Sequence, residues 1–366
     1  MLSHNLDKLV QVPGIYRLHE MRNIVGDQSL EFLKNIPQPD SFDFESMNEY
    51  ISPSNDSNLL DFAKLHKCKF LMSTSTISYF LSHLSYLVTQ FQEPNFSCLS
   101  TYHEFERLKY MNAQKKPYTS FLKCLDKTKN IWCLDSDNGI FTPNHLILIQ
   151  MGKILERMYT MEPDHFNGVY VKDKKAIDRY QPLEEDYHRY MILNNNICLR
   201  SQIDARSTVN DKEIVFEIKT RALAPLRYDV YNYKDYLDYS IREIYGEVST
   251  YEREYYDLIR GAFLKYFFQL KIGSMDGALI GYHNSIENFG FEYVSMKTIE
   301  ETLFGSSQKA DLLFMITTKL IEHVLEKILN ELKEFEFDYA KIGYYPDAST
   351  GRRVVMVEEM TKPIEE

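Results

Sequence analysis

Hydrophobic residues recur at helical spacing after "STST" (Ser73 to Thr76), at Ile77, Phe80, Leu81, Leu84 and Leu87. This predicts a core helix with several possible cap residues at its start, and its hydroxyls are read as structural before they are read as ligands. A second run, "TPNHLILIQMGKILERMYTMEP", predicts a helix that Thr142 opens, with Pro143 next, and that closes before Pro163. The texture then changes. "YHRYMIL", "ICLRSQIDAR" and "EIVFEIKTR" are short β-rich runs separated by "NNN" and "STVNDK", and they predict three consecutive antiparallel strands. A tyrosine-rich connection from Tyr228 to Tyr256 leads to one helical run, "YYDLIRGAFLKYFFQLKIG", ended by Gly273, and to a strand, "GALIGYH". A long helix around "KADLLFMITTKLIEHVLEKILNELKEF" and a hairpin, "DYAKIGYYPDASTGRRVVMVEE", complete the chain. Residues 1 to about 140 otherwise alternate short helical patterns with Pro, Asn and Ser punctuation, without repeats. The order helix, three strands, helix, strand predicts an α/β fold.

Composition narrows the class. With 366 residues, 44% of them hydrophobic and 14% aromatic, the chain can bury the core of one large domain or of two. It has no run of about 18 apolar residues, so no transmembrane segment is expected. "MLSHNLDKLV" mixes Asp7 with Lys8 and lacks the pattern of a secretory signal. Five cysteines without a C-x-x-C pair suggest neither a disulfide framework nor a zinc ribbon, and fit a reducing compartment. A net charge of -11 argues against an all-over basic surface for nucleic acid, although between Arg200 and Arg227 bases outnumber acids.

The chemistry concentrates in "LRSQIDARSTVNDKEIVFEIKTRA". A hairpin turn centred between Asn210 and Asp211 sets Asp204 opposite Glu217, with the Cβ atoms about 4.5 to 5.5 Å apart. Alternation sends Phe216 and Ile218 to one face, and Glu217, Lys219 and Arg221 to the other. Two carboxylates at that range repel unless one is protonated or a cation lies between them. Mg²⁺ suits such oxygen ligands, and Lys219 could hold or deprotonate a water attacking a phosphodiester. The bland alternative stands beside it, since E-x-K triplets arise by chance: Glu331-Leu332-Lys333 sits on a helix, where it marks a solvated face. Arg200 and Arg221 could bind phosphates or make salt bridges with Asp204 or Glu217. Tyr228, Tyr231, Tyr233, Tyr236 and Tyr239 read as a packed linker before they read as base-stacking residues. His283 has no second histidine at ligand spacing and reads as structural.

"QIDAR…FEIKTR" within this element order resembles the PD-(D/E)XK nuclease superfamily, with a restriction-endonuclease-like core. Together with "PGIYRL", "STSTISYFLSHL", "MGKILERMYT" and "KYFFQLKIGSMDGALIGYHN", it is similar to the fungal mitochondrial RNA-processing family that trims and degrades transcripts from their 5′ ends; the resemblance runs from about Pro13 to about Asn284. The resemblance implies Asp204, Glu217 and Glu156 as ligands of Mg²⁺ or Mn²⁺, Lys219 as the catalytic lysine and Gln269 as a further active-site residue. It implies Arg200, Gln202, Arg221 and Lys265 as substrate-binding groups. One departure is Ile203, where the superfamily often has proline before the aspartate. The implied organisation is a family-specific region over 1–143, a nuclease core over 144–290, and a helix and hairpin over 291–366. The implied activity is 5′-to-3′ hydrolysis of single-stranded RNA in mitochondria, in association with transcription or RNA-decay machinery, although no targeting peptide is visible. Rival readings are a non-catalytic RNA-binding or transcription-associated factor that keeps the fold, and a DNA nuclease.

Overall fold

The computed structural model describes residues 2–103, 109–111, 116–137, 143–174, 187–209, 211–332, 338–346 and 353–359. Its strands are β1 (Ile15–Arg17), β2 (Phe70–Ser73), β3 (Tyr118–Asp126), β4 (Ile131–Ser136), β5 (His188–Leu193), β6 (Ile197–Gln202), β7 (Ala205–Val209), β8 (Lys212–Ala222), β9 (Gly277–His283), β10 (Asn288–Ser295), β11 (Tyr339–Pro346) and β12 (Arg353–Glu359). The helices are α1 (Arg22–Val25), α2 (Asp27–Lys34), α3 (Ser57–His66), α4 (Thr74–Val88), α5 (Pro143–Thr160), α6 (Pro163–Tyr170), α7 (Ala224–Tyr228), α8 (Tyr251–Gly261), α9 (Phe263–Gly273), α10 (Met296–Phe304) and α11 (Ser307–Glu331). A five-stranded sheet runs β1-β10-β9-β8-β7, and a seven-stranded sheet runs β12-β11-β3-β4-β2-β6-β5.

The three consecutive strands expected between Tyr187 and Arg221 are four strands in two hairpins, one in each sheet. β5 pairs with β6, and β6 continues the seven-stranded sheet by pairing parallel with β2. β7 pairs with β8 in the five-stranded sheet, and β8 pairs parallel with β9 across a connection that contains α8 and α9. Burial explains the division. Ile197 to Ser201 are buried at every position, as in a central strand covered on both faces. The chain therefore changes sheets at Ile203-Asp204, between the end of β6 and the start of β7.

Other departures are local. β2, β3 and β4 lie in the stretch that the sequence renders as short helical patterns. The single helix expected from Tyr255 to Gly273 is the end of α8 followed by α9, with Ala262 between them at φ -109°. Gly261, a weak helix former, precedes that break. The stretches 1–143, 144–290 and 291–366 all contribute strands to the seven-stranded sheet, so one sheet spans the three.

Three apolar layers hold the sheets. On one face of the five-stranded sheet Phe216, Ile218, Leu279 and Phe291 pack with Met151, Leu155 and Met158 of α5. On its other face Ile280, Tyr282 and Val294 share a core with Phe263 and Phe267 of α9. The same core takes in Phe70, Met72, Ile197 and Leu199 from the seven-stranded sheet, so α9 lies against both β6 and β9. Leu59 and Ala63 of α3 cover the far face at Leu71, Cys133 and Cys198. Among the described residues, no helix is long and apolar enough to cross a membrane.

Candidate active site

The site begins where β7 leaves β8. Their register runs from Val209↔Lys212 to Ala205↔Phe216, the pairing that the predicted turn implies. From Glu217 onward that edge of β8 has no partner from β7, and an unpaired strand edge leaves a backbone donor to be satisfied. The Asp204 carboxylate does so: its Oδ2 accepts from the Ile218 N–H at 2.9 Å. The sheet change at Ile203-Asp204 thus fixes an aspartate beside Glu217. On the opposite edge Glu217 pairs with Ala278 and Lys219 with Ile280, which holds both residues to one face of β8.

Glu156 arrives from α5. One turn earlier on that helix, a Cβ on Gly152 would already lie 3.4 Å from Thr220 Oγ1, so α5 sits low over β8. Gly281 plays the matching part on β9, where a Cβ would stand 2.4 Å from the Tyr159 hydroxyl. That hydroxyl accepts from Asn288 Nδ2 at 2.9 Å. Bare backbone at these two points lets the helix approach closely enough to bring its carboxylate to the strands.

The electrostatics follow from this crowding. Loss of hydration, then the nearby Glu217 and Glu156, push the Asp204 carboxyl well above its usual range, while Lys219 and the Ile218 N–H oppose this in part. For Lys219, burial acts to lower the pKa but Glu217 and Asp204 outweigh it, so the net shift is upward and the group is an ammonium at neutral pH. Lys219 Nζ donates to Glu217 Oε1 and stands 5.6 Å from the centre of the Tyr266 ring. Among the described residues, no group of three or more His, Cys, Asp and Glu side chains is arranged as a metal site. The donor set nevertheless suits a hard cation: Asp204, Glu217 and Glu156 supply oxygens, and Gln269 contributes a buried Oε1 without a hydrogen-bond partner. A cation here would share Glu217 with Lys219.

Asp204, Glu217, Lys219, Glu156 and Gln269 all line one cavity of about 340 Å³. Arg200 and Gln202 also line it, whereas Arg221 and Lys265 do not. Arg200 is held by Asp56 Oδ2 at 2.5 Å and the Ile51 carbonyl at 2.6 Å, an ion pair with a different acid from the two expected. Arg221 Nε meets Glu254 at 3.3 Å, in a buried cluster where Arg227 also contacts Glu254 and Asp257. Glu254 of helix α8 thus holds Arg221 away from the lining of the cavity. Lys265 Nζ lies 4.3 Å above the Tyr79 ring, outside the cavity.

The sequence reading missed Tyr50, Ser73, Thr74, Ser75, His188 and Tyr190, which are among the other residues of the lining. The hydroxyl-rich "STST" was the one visible signal of Ser73, Thr74 and Ser75. Of the tyrosines in the connection, Tyr228 and Tyr231 are exposed, whereas Tyr233, Tyr236 and Tyr239 pack against the core. His283 is buried and accepts from the Ser285 N–H at 3.1 Å; burial, with Arg227 nearby, pushes it down to about 3.

Residues 50–326 match the family described as mitochondrial protein Pet127. The chain is 30% identical over 334 residues to the Schizosaccharomyces pombe mRNA degradation protein pet127, mitochondrial, covering 89% of this chain and 62% of that protein. It is 32% identical over 277 residues to Saccharomyces cerevisiae PET127, named provisionally as a mitochondrial translation system component, covering 75% of this chain and 32% of that protein. The chain therefore spans less than two thirds of either relative. Among solved structures, K. lactis Dxo1 in complex with manganese is similar with a TM-score of 0.44 and 11% identity, over 97% of this chain and 84% of that one. Scheffersomyces stipitis Rai1 in complex with (3'-NADP)+ and calcium ion gives 0.43 and 13%, over 92% and 86%. At such scores neither bears on the chemistry of this site.

Proposed function

The chain belongs to the Pet127 family of mitochondrial proteins, and we propose that it is a divalent-metal-dependent ribonuclease that shortens single-stranded mitochondrial RNA from its 5′ end. The observation that carries this reading is the meeting of Asp204, Glu217, Lys219, Glu156 and Gln269 in one cavity. The mRNA degradation name of the Schizosaccharomyces pombe relative agrees with it.

Asp204, Glu217 and Glu156 would hold Mg²⁺ or Mn²⁺, which supplies charge neutralisation at the phosphate and a more acidic water. Lys219, an ammonium beside Glu217, would hold the attacking water and stabilise negative charge on the phosphate oxygens. The unpartnered Gln269 Oε1 can accept a hydrogen bond from that water. Hydrolysis leaves a 5′-phosphate and a 3′-hydroxyl. Gln202 lines the cavity where it could meet a terminal phosphate, and Arg200 could do so in exchange for its contact with Asp56.

RNA labelled at either end, incubated with Mg²⁺ or with chelator, tests the reading. The expected result is Mg²⁺-dependent shortening from the 5′ end that a bulky 5′ block stops and a 3′ block does not. Cleavage of circular RNA as readily as linear RNA would make the protein an endonuclease. The rival reading, RNA binding without catalysis, draws on the ion pair by which Lys219 occupies Glu217. Retained RNA with undiminished affinity in Mg²⁺ would favour it.

A further inference from the structure

The Lys219 ammonium is drawn by three neighbours: the Glu217 carboxylate, to which it donates, the Asp204 carboxylate, and the ring of Tyr266, whose centre lies 5.6 Å from Nζ. The first two are also proposed cation ligands. A divalent ion held by Asp204 and Glu217 would take up both acids and repel the ammonium beside them, strongly so in a site that holds little water. The ring differs from the acids. Its face attracts a cation electrostatically, yet it offers no oxygen that a hard metal ion would bind in preference. Tyr266 is also held in place. It lies on α9 among the fully buried Phe263, Phe267 and Phe268, and one turn before Gln269, which lines the cavity. Half-buried itself, it packs against the core that the two sheets share.

We propose that Tyr266 is a positioning residue for Lys219: its ring keeps the ammonium in the cavity when Glu217 is given over to a divalent cation. This rests on the metal-dependent reading of the site and adds to it a residue that does not itself line the cavity. Without the ring, the ammonium has only the two acids to rest on and competes with the cation for Glu217. With it, the two positive charges have separate places, and Lys219 stays near the phosphate that it is to meet. Tyr266 acts only through the charge on Lys219, so its effect must vanish when that charge is removed. A packing role carries no such condition.

The test measures Mn²⁺ binding to the full chain without RNA, by the electron paramagnetic resonance signal of the free ion. Tyr266→Leu keeps most of the bulk and removes the ring; it is expected to weaken Mn²⁺ binding about 2- to 30-fold. Tyr266→Phe, which keeps the ring, should bind Mn²⁺ as the parent does. In a chain that already carries Lys219→Met, adding Tyr266→Leu should change the affinity by less than about twofold. Where Tyr266→Leu unfolds, phenylalanine with one, two or three ring fluorines in place of Tyr266 keeps the shape and weakens the ring face in steps. Mn²⁺ affinity should then fall in the same order. Equal losses with and without the Lys219 charge would make Tyr266 a packing residue and overturn the proposal. Undiminished affinity in Tyr266→Leu, or a flat fluorine series, would do the same. In each of these cases Mn²⁺ binding by the parent leaves the metal site standing, whereas absence of Mn²⁺ binding by the parent overturns both.

Discussion

Asp204 carries opposite consequences for stability and for chemistry. Its folded carboxyl holds a proton to higher pH than the unfolded one, so between those two pKa values the folded state binds more protons and stability falls as pH rises. Asp204→Asn removes that fall: it should raise Tm at pH 7 while abolishing hydrolysis, and it should eliminate any Tm increase produced by Mg²⁺ in the parent. Parallel thermal melts and RNA assays check the pair of effects, and near-normal turnover in the variant would remove Asp204 from the proposed metal site. In the proposed reaction Lys219 acts through charge held near the phosphate. Lys219→Ala should lower turnover by about 10²- to 10³-fold with little change in RNA affinity, as for loss of a donor that works in the transition state. Weakened binding at unchanged turnover would make it a phosphate clamp.

At the scale of elements, the β7–β8 register was legible because the turn and the alternation of apolar residues fix it locally. Helix α5 was legible from its apolar spacing and from Pro143 at its start. The path of β6 was not. Alternation tells which face a side chain takes, but not which strand becomes the neighbour, and the pairing of β6 with β2 joins segments far apart in sequence. The same limit hid Ser73 and Tyr50, which reach the cavity through that pairing and through the Arg200 contact to Ile51. It also left Arg200 and Arg221 alike until Asp56, the cap of α3, and Glu254 of α8 supplied their acids. Element packing yields its own prediction at Gly281, where added bulk meets Tyr159 and must lift α5. Gly281→Ala should destabilise by about 1–3 kcal/mol in chemical denaturation. It should also reduce hydrolysis at temperatures where the protein remains folded, because Glu156 moves with the helix; unchanged activity would show that Glu156 tolerates the displacement.

For the molecule as a whole, the buried His283 sets a limit on the acid side. His283 is held neutral down to about 3, below the ordinary value of about 6.5 that it regains on unfolding. The unfolded state therefore binds the extra proton first, and stability falls as pH drops from about 6.5 toward 3, by up to about 1.4 kcal/mol per pH unit from this group. Denaturant melts across that range should show a shallower slope in His283→Gln than in the parent; equal slopes would assign the acid loss to other groups. A last consequence concerns time. The cavity draws together Tyr50, Ser75, Glu156, Asp204 and Gln269, and it does so through both sheets. Such distant closures are slow and come after local hairpins and helices. A growing chain that has released the β7–β8 hairpin still lacks α9, and so has only part of the constellation. Recovery of function during refolding should lag behind recovery of helix and hairpin signals, making competence toward RNA among the last properties that the new molecule acquires.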